Sequence, residues 1–289
     1  MIVIKLLGPT TVVHEGLRRD AADLGGVKPR QLLEMLALGL GSPMPKDLLA
    51  ERLWEGHPPA SYIATVESYV CVLRRRLGLA RGRHAPLATT NSGYVLDPEQ
   101  VQVDAVEIRS LLASGERADV TRALDLASGE LLVDEPYAAW ASRERESFAQ
   151  CVAAACTGAA HAANAAGESS LAVRLARAAM ARSYFSEPAL RELMSALVRS
   201  GERSQALQVY EQLRAGMLED LGIEPSPITQ RLYLSILRGD STTTSRETDR
   251  DEICLLLRLL RQALEHDSGS SVGEPAMLEV GRMLLARTG

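Results

Sequence analysis

Apolar positions recur at helical spacing along most of the chain and at strand spacing only near its start and around position 90. IVIKLL (2–7) and TVVHEG (11–16) read as two short strands around a Gly8-Pro9 turn. Three helices follow. VKPRQLLEMLALGL (27–40) carries Leu32, Leu33, Leu36 and Leu40 behind a first-turn Pro29 and ends at Gly39 and Gly41. PKDLLAERLW (45–54) again has proline in its first turn, and SYIATVESYVCVLRRRL (61–77) stops at Gly78. PLATT-NSG-YVL (86–96) reads as a hairpin. From about Val103 the pattern is helical throughout, with helices expected near 104–114, 116–127, 138–165, 168–182, 187–200, 203–220 and 226–237. Asp104 is expected to cap the first of them.

Two strands, three helices and a hairpin make the order of a winged helix-turn-helix with a small N-terminal sheet. In the following region AGESSLAVRLARAAM and SGERSQALQVYEQLR align at an offset of 34, Gly167 with Gly201, Glu168 with Glu202, Ser170 with Ser204 and Ala172 with Ala206. Thirty-four is the tetratricopeptide period. The expected fold class is therefore mainly α. It has an α+β winged helix-turn-helix over 1–97, with a small sheet and wing hairpin, and an all-α tetratricopeptide-like domain over 98–239. Residues 240–289 are expected to be a polar linker, DSTTTSRETDR, with further C-terminal helices. One of those, 252–264, is apolar nearly all round and suits packing on the helical domain or a dimer contact.

Composition supports helices. Of 289 residues 46% are hydrophobic but only 4% aromatic, so cores must be built from leucine, alanine and valine. The net charge of −5 is unevenly spread, with +3 over residues 1–97 and −8 over the remainder. Opposite signs argue for two domains with different partners. Most of the positive charge near the end of the third helix is Arg74, Arg75 and Arg76. On a helical wheel Val66, Val70, Leu73 and Leu77 form its buried stripe. Thr65, Ser68, Tyr69, Val72, Arg75 and Arg76 fall on the other face, with Arg74 on the flank beside Glu67. Hydroxyls and guanidinium groups bind phosphates, arginine reads guanine bidentately, and valine meets a thymine methyl. A local basic face on an acidic chain suits DNA binding, because attraction to phosphates needs local potential and not net charge.

These segments resemble a known family. VKPRQLLEMLAL, LLAERLWEGHPPAS, ATVESYVCVLRRRLG and SGYVL are similar to the DNA-binding domain of the SARP family (Streptomyces antibiotic regulatory proteins). SGELLVDEPYAAW and the stretch from EPALRELMSALVRSGERSQALQVYEQL to ITQRLYLSIL resemble the bacterial transcriptional activator domain that follows it there. The resemblance covers about residues 1–238. It implies an activator that binds direct repeats in promoter DNA of a secondary-metabolite or antibiotic gene cluster, with the third helix in the major groove. It also implies recruitment of RNA polymerase through its sigma or alpha subunits. The family's wing often carries an arginine for the minor groove, where this chain has Thr90 and Asn91; Thr89, Thr90, Asn91 and Tyr94 become the wing candidates. The loop holding Glu55, Gly56 and His57 is the candidate polymerase contact.

Other classes find little support. GSSVG (269–273) fits G-x-S-x-G but no strand precedes it, and neither G-x-x-x-x-G-K-[ST] nor H-E-x-x-H occurs. No cofactor or metal site is expected: the five histidines are dispersed, and Cys71, Cys151, Cys156 and Cys254 read as free core thiols. No apolar run approaches a membrane span and the start lacks a signal sequence, so a cytoplasmic protein without a membrane partner is expected. Self-association as a homodimer is compatible with the helical domain. An adaptor whose winged helix binds protein instead of DNA stays open, and salt dependence of DNA binding separates the two.

Overall fold

A computed structural model describes residues 1–239 apart from Arg83. The linker 240–250, the apolar segment 252–264 and GSSVG lie outside the described residues.

The chain opens with β1 (Ile2–Lys5), β2 (Thr11–His14) and β3 (Leu17–Asp20), an antiparallel meander. β3 was not anticipated: LRRD has a single apolar residue, and that one is exposed, so no alternation marks it. A one-turn 3-10 helix (Ala21–Leu24) leads into α1 (Val27–Leu38), α2 (Lys46–Leu53) and α3 (Tyr62–Leu77). The hairpin β4 (Leu87–Thr90) and β5 (Gly93–Leu96) follows. β6 (Val101–Val103) then returns to the first sheet and pairs parallel with β1, Ile2 beside Val101 and Ile4 beside Val103, giving the order β3-β2-β1-β6. A three-residue strand is too short to show a period, so the sequence pattern passes over it.

α1, α2 and α3 pack on one another. Their shared core is Leu32, Leu33 and Leu36 from α1, Leu49 and Leu53 from α2, and Val66, Val70 and Leu73 from α3, all buried. The hairpin docks through Met44 before α2: its amide donates to the Tyr94 carbonyl at 2.8 Å and its carbonyl accepts from the Tyr94 amide at 3.1 Å.

The helical region comprises α4 (Asp104–Ser114), α5 (Arg117–Leu126), α6 (Ala139–Ala165), α7 (Ser169–Arg182), α8 (Glu187–Arg199), α9 (Arg203–Leu221) and α10 (Pro227–Arg238). α7 and α9 begin 34 residues apart, and the repeat holds atom by atom. Gly167 and Gly201 have φ of 78° and 81°; the Glu168 amide donates to Ala163 O and the Glu202 amide to Leu197 O; Ala172 and Ala206 are both fully buried. α6 packs on α7, α7 on α8 and α8 on α9. Ala159, Ala160, Ala163, Ala176, Ala179, Ala189 and Ala196 are buried along these contacts, where a small side chain lets helix axes approach closely. Residues 1–229 form one compact unit, and from Gln230 the chain belongs to a second.

Within the first unit the winged helix and the helical region are joined by polar groups. The amide of Leu132 donates to Leu6 O at 2.9 Å and the amide of Gly8 to Glu130 O at 2.8 Å. α1 supplies Arg30, which donates to Glu135 Oε1 at 2.6 Å and to the Asp134 carbonyl at 3.1 Å, and Gln31, which donates to Glu135 Oε2 at 2.5 Å. The Thr10 amide donates to Asp134 Oδ2. Asp104 does not cap α4 as expected, Val103 holding that position: its carboxylate accepts the Leu6 and Leu7 amides at the end of β1, at 2.8 and 3.1 Å, and the Ala105 amide.

Candidate nucleic-acid interface

α3 divides sharply. Val66, Val70, Leu73 and Leu77 are buried, as the wheel requires, while Ser68, Cys71, Arg75 and Arg76 are exposed. Gly78 in the left-handed region closes the helix. Its last carbonyls have partners from the sheet: the His14 Nδ1–H donates to Leu77 O at 2.9 Å and Arg19 Nε donates to Arg76 O at 3.3 Å. The first sheet thereby fixes how far the end of α3 projects.

Ser68, Cys71 and Arg75, with Val72, Arg74, Gly78, Leu79 and Arg81, line a shallow concavity. Arg75 and Arg76 form no side-chain hydrogen bond or ion pair with any described residue. In the helical region Arg109, Arg117, Arg122, Arg174 and Arg214 pair with carboxylates. Two adjacent unpaired guanidinium groups at the end of α3 raise the local potential of an acidic chain there.

The other candidates on α3 are more occupied. Tyr69 stacks on Trp54, ring centroids 6.3 Å apart, and is half-buried. The Thr65 hydroxyl donates to Ser61 O one turn earlier. Val72 leans on Gly25, where a Cβ would sit 2.3 Å from Val72 Cγ1. Arg74 reaches the wing, its Nη2 donating to Leu87 O at 2.8 Å and to Thr89 Oγ1 at 2.9 Å. Those acceptors are neutral, so Arg74 braces the hairpin and keeps its charge.

On the wing, Thr89 and Asn91 are exposed, and Thr89, already an acceptor for Arg74, retains its own O–H to donate. The Thr90 hydroxyl closes the turn against Ser92 and the Gly93 carbonyl. Tyr94 is only 3% exposed, beneath the Lys46 ammonium 5.7 Å from its ring, so burial takes it off the surface. Burial also holds the Tyr94 phenol above its ordinary range. Lys46 itself pairs with Glu67 at 2.5 Å, and the Glu67 hydrogen bond raises its pKa. The loop holding Glu55, Gly56 and His57 is exposed, with Glu55 and Gly56 at positive φ. Glu55 Oε1 accepts the Ala139 amide at the start of α6, at 3.4 Å.

The comparisons with known proteins fall on the same architecture. Residues 99–237 match the bacterial transcriptional activator domain. The regulatory protein DnrI of Streptomyces peucetius is 31% identical, the match covering 82% of this chain and 92% of that protein. The chain belongs to the SARP family of transcriptional activators. A second SARP relative, the transcriptional regulatory protein EmbR of Mycobacterium tuberculosis, is 27% identical across 96% of this chain and 77% of its own length. The solved structure of Mycobacterium tuberculosis EmbR in complex with a low affinity phosphopeptide superposes with a TM-score of 0.68 at 26% identity, covering 89% of this chain and 70% of that one. It shares the winged helix-turn-helix and tetratricopeptide-like arrangement of this SARP chain.

Two residues at this face lay outside the candidates expected from the sequence. Cys71 was read as a core thiol, yet it lies on the exposed face, as its position one residue past the buried Val70 dictates. Cys156 does sit in the core, where burial pushes its thiol up to about 11; Cys151 is half-buried, and Cys254 lies outside the described residues. Arg19 is brought to α3 by the unanticipated β3. Among the described residues no group of histidines, cysteines and carboxylates could hold a metal, and no helix is long and apolar enough to cross a membrane.

Proposed function

We propose that this SARP protein is a sequence-specific DNA-binding activator in which the exposed face of α3 enters the major groove. The observation that carries this reading is the uncompensated pair Arg75 and Arg76 beside Ser68 and Cys71, on a face the fold leaves open. Arg75 reads a base edge or a phosphate, Ser68 donates a hydroxyl, and Thr89 and Asn91 on the wing meet the backbone across the groove. Arg74 holds the wing at its distance from α3 and adds positive potential. Family membership supports direct-repeat operators in promoters of a secondary-metabolite cluster. It also supports polymerase contact through Glu55, Gly56 and His57, with the helical region serving self-association.

Gel-shift binding of the full chain to promoter fragments from its gene neighbourhood, at two salt concentrations, tests the reading. A specific shift that weakens steeply with salt and is lost in the Arg75→Ala/Arg76→Ala double variant is expected, since each base-reading arginine contributes about 1–3 kcal/mol. A folded protein that shifts no fragment at low salt would replace this reading with that of a protein-binding adaptor.

A further inference from the structure

We propose that Arg19, on β3, holds a DNA backbone phosphate beside the groove that α3 reads, so that the N-terminal sheet forms part of the DNA interface. The proposal rests on the DNA-binding reading above and adds a site on a different element. Arg19, Asp23, Arg75 and Arg76 line a second concavity next to the one bearing Ser68 and Cys71. Arg75 lines both, so a duplex seated on the α3 face continues into the cleft at Arg19.

Charge and geometry there suit a phosphate. Arg19 Nε is engaged by the Arg76 carbonyl, and that single bond fixes the guanidinium while its two Nη groups meet no other acceptor among the described residues. A planar group held by one nitrogen and open at two is organised for an anion with several oxygens. Arg75 and Arg76 add two further uncompensated charges. Of the carboxylates nearby, Asp20 Oδ1 pairs with Arg18 Nε at 2.8 Å; Asp23, whose Oδ2 accepts the Asp20 amide at 3.1 Å, keeps its charge in the concavity, where three guanidinium groups outnumber it. Strand alternation supplies an internal control. Arg19 pairs across from Val12 and Arg18 from Val13, so the two arginines lie on opposite faces of β3, Arg18 in its ion pair with Asp20.

Fluorescence anisotropy of the full chain with a scrambled duplex and with a shifted promoter fragment, across a salt series, decides the matter. Arg19→Ala is expected to weaken both complexes by a similar factor, about 5- to 10-fold, because a phosphate contact is blind to sequence. Its log–log salt slope should fall by about 0.9, the contribution of one neutralised phosphate. Arg19→Lys should keep the slope, and Arg18→Ala should resemble wild type. Equal thermal midpoints establish that the variants are folded; if Arg19→Ala lowers the midpoint, Arg19→Lys against Arg19→Gln gives the same comparison with the stem retained. Unchanged slope and affinity in Arg19→Ala, with binding lost in Arg75→Ala/Arg76→Ala, would overturn this site and leave the α3 reading standing. Absence of any wild-type binding at low salt would overturn both.

Discussion

The Thr10 hydroxyl donates to Glu34 Oε1 at 2.7 Å with both residues fully buried. Glu34 Oε2 has no hydrogen-bond partner, and Arg30 Nε stands 3.6 Å from Oε1. Burial, reinforced by the neighbouring Glu135 and Asp134, pushes the Glu34 carboxyl up to about 8 despite the Thr10 bond and Arg30. Glu34 is then neutral at pH 7 in the folded protein and charged in the unfolded chain. A carboxyl raised in this way gives its full stability below its unfolded value of 4.5 and loses it as pH rises to about 8. The loss is at most about 1.4 kcal/mol per pH unit. Urea midpoints followed across that window should fall more steeply for wild type than for Glu34→Gln. Parallel curves would mean that Glu34 ionises in the ordinary range.

Arg30 and Glu135 form the polar joint between α1 and the segment before α6, their side chains 14% and 4% exposed. Removing one partner leaves the other buried without its countercharge, so Arg30→Ala and Glu135→Ala should each cost about 3–5 kcal/mol. The combined variant should cost less than their sum. Guanidinium denaturation with a double-mutant cycle measures both, and simple additivity would show that the pair does not act as a unit.

Gly25 at φ 93° has no room for a side chain under Val72. Gly25→Ala should cost about 1–3 kcal/mol through backbone strain and a further 1–3 kcal/mol through overpacking. Val72→Ala in the same chain should recover the second part and not the first. Thermal unfolding of the two singles and the double is the measurement, and no recovery would place the strain wholly in the backbone.

Arg74 should behave as a brace and not only as a charge. Its Nε and Nη2 both address Leu87 O and Nη2 also reaches Thr89. A lysine keeps the charge but not the fork. Arg74→Lys is therefore expected to weaken promoter binding by about tenfold, for a loss near 1.4 kcal/mol, and Arg74→Ala to weaken it further because the charge goes as well. Full binding by Arg74→Lys in a gel shift would reduce the role of Arg74 to potential alone.

The helical elements were legible because each carries a period-3.6 stripe, over ten residues or more in all but the eight-residue α2, and the stripe of α3 was buried residue for residue as its spacing required. The 34-residue offset held down to paired glycine turns and buried alanines. β3 escaped because LRRD has one apolar residue and no alternation, and β6 because three residues are too few to show a period; both are defined by what they pair with. The same limit hid Arg19, whose partner Arg76 is 57 positions away. It also hid the occupation of Tyr69 by Trp54 and of Arg74 by the wing: a wheel shows which way a residue leaves its helix, not what meets it there.

β6 has a consequence for how such regulators can be recombined. The strand that completes the first sheet belongs to the peptide that leads straight into α4, and Asp104 at that entry ties down the end of β1. A chimera that carries this winged helix into another regulator must be joined beyond Asp104. A seam at residue 97 would leave β1 with a bare edge and hand the recipient a winged helix whose sheet is one strand short.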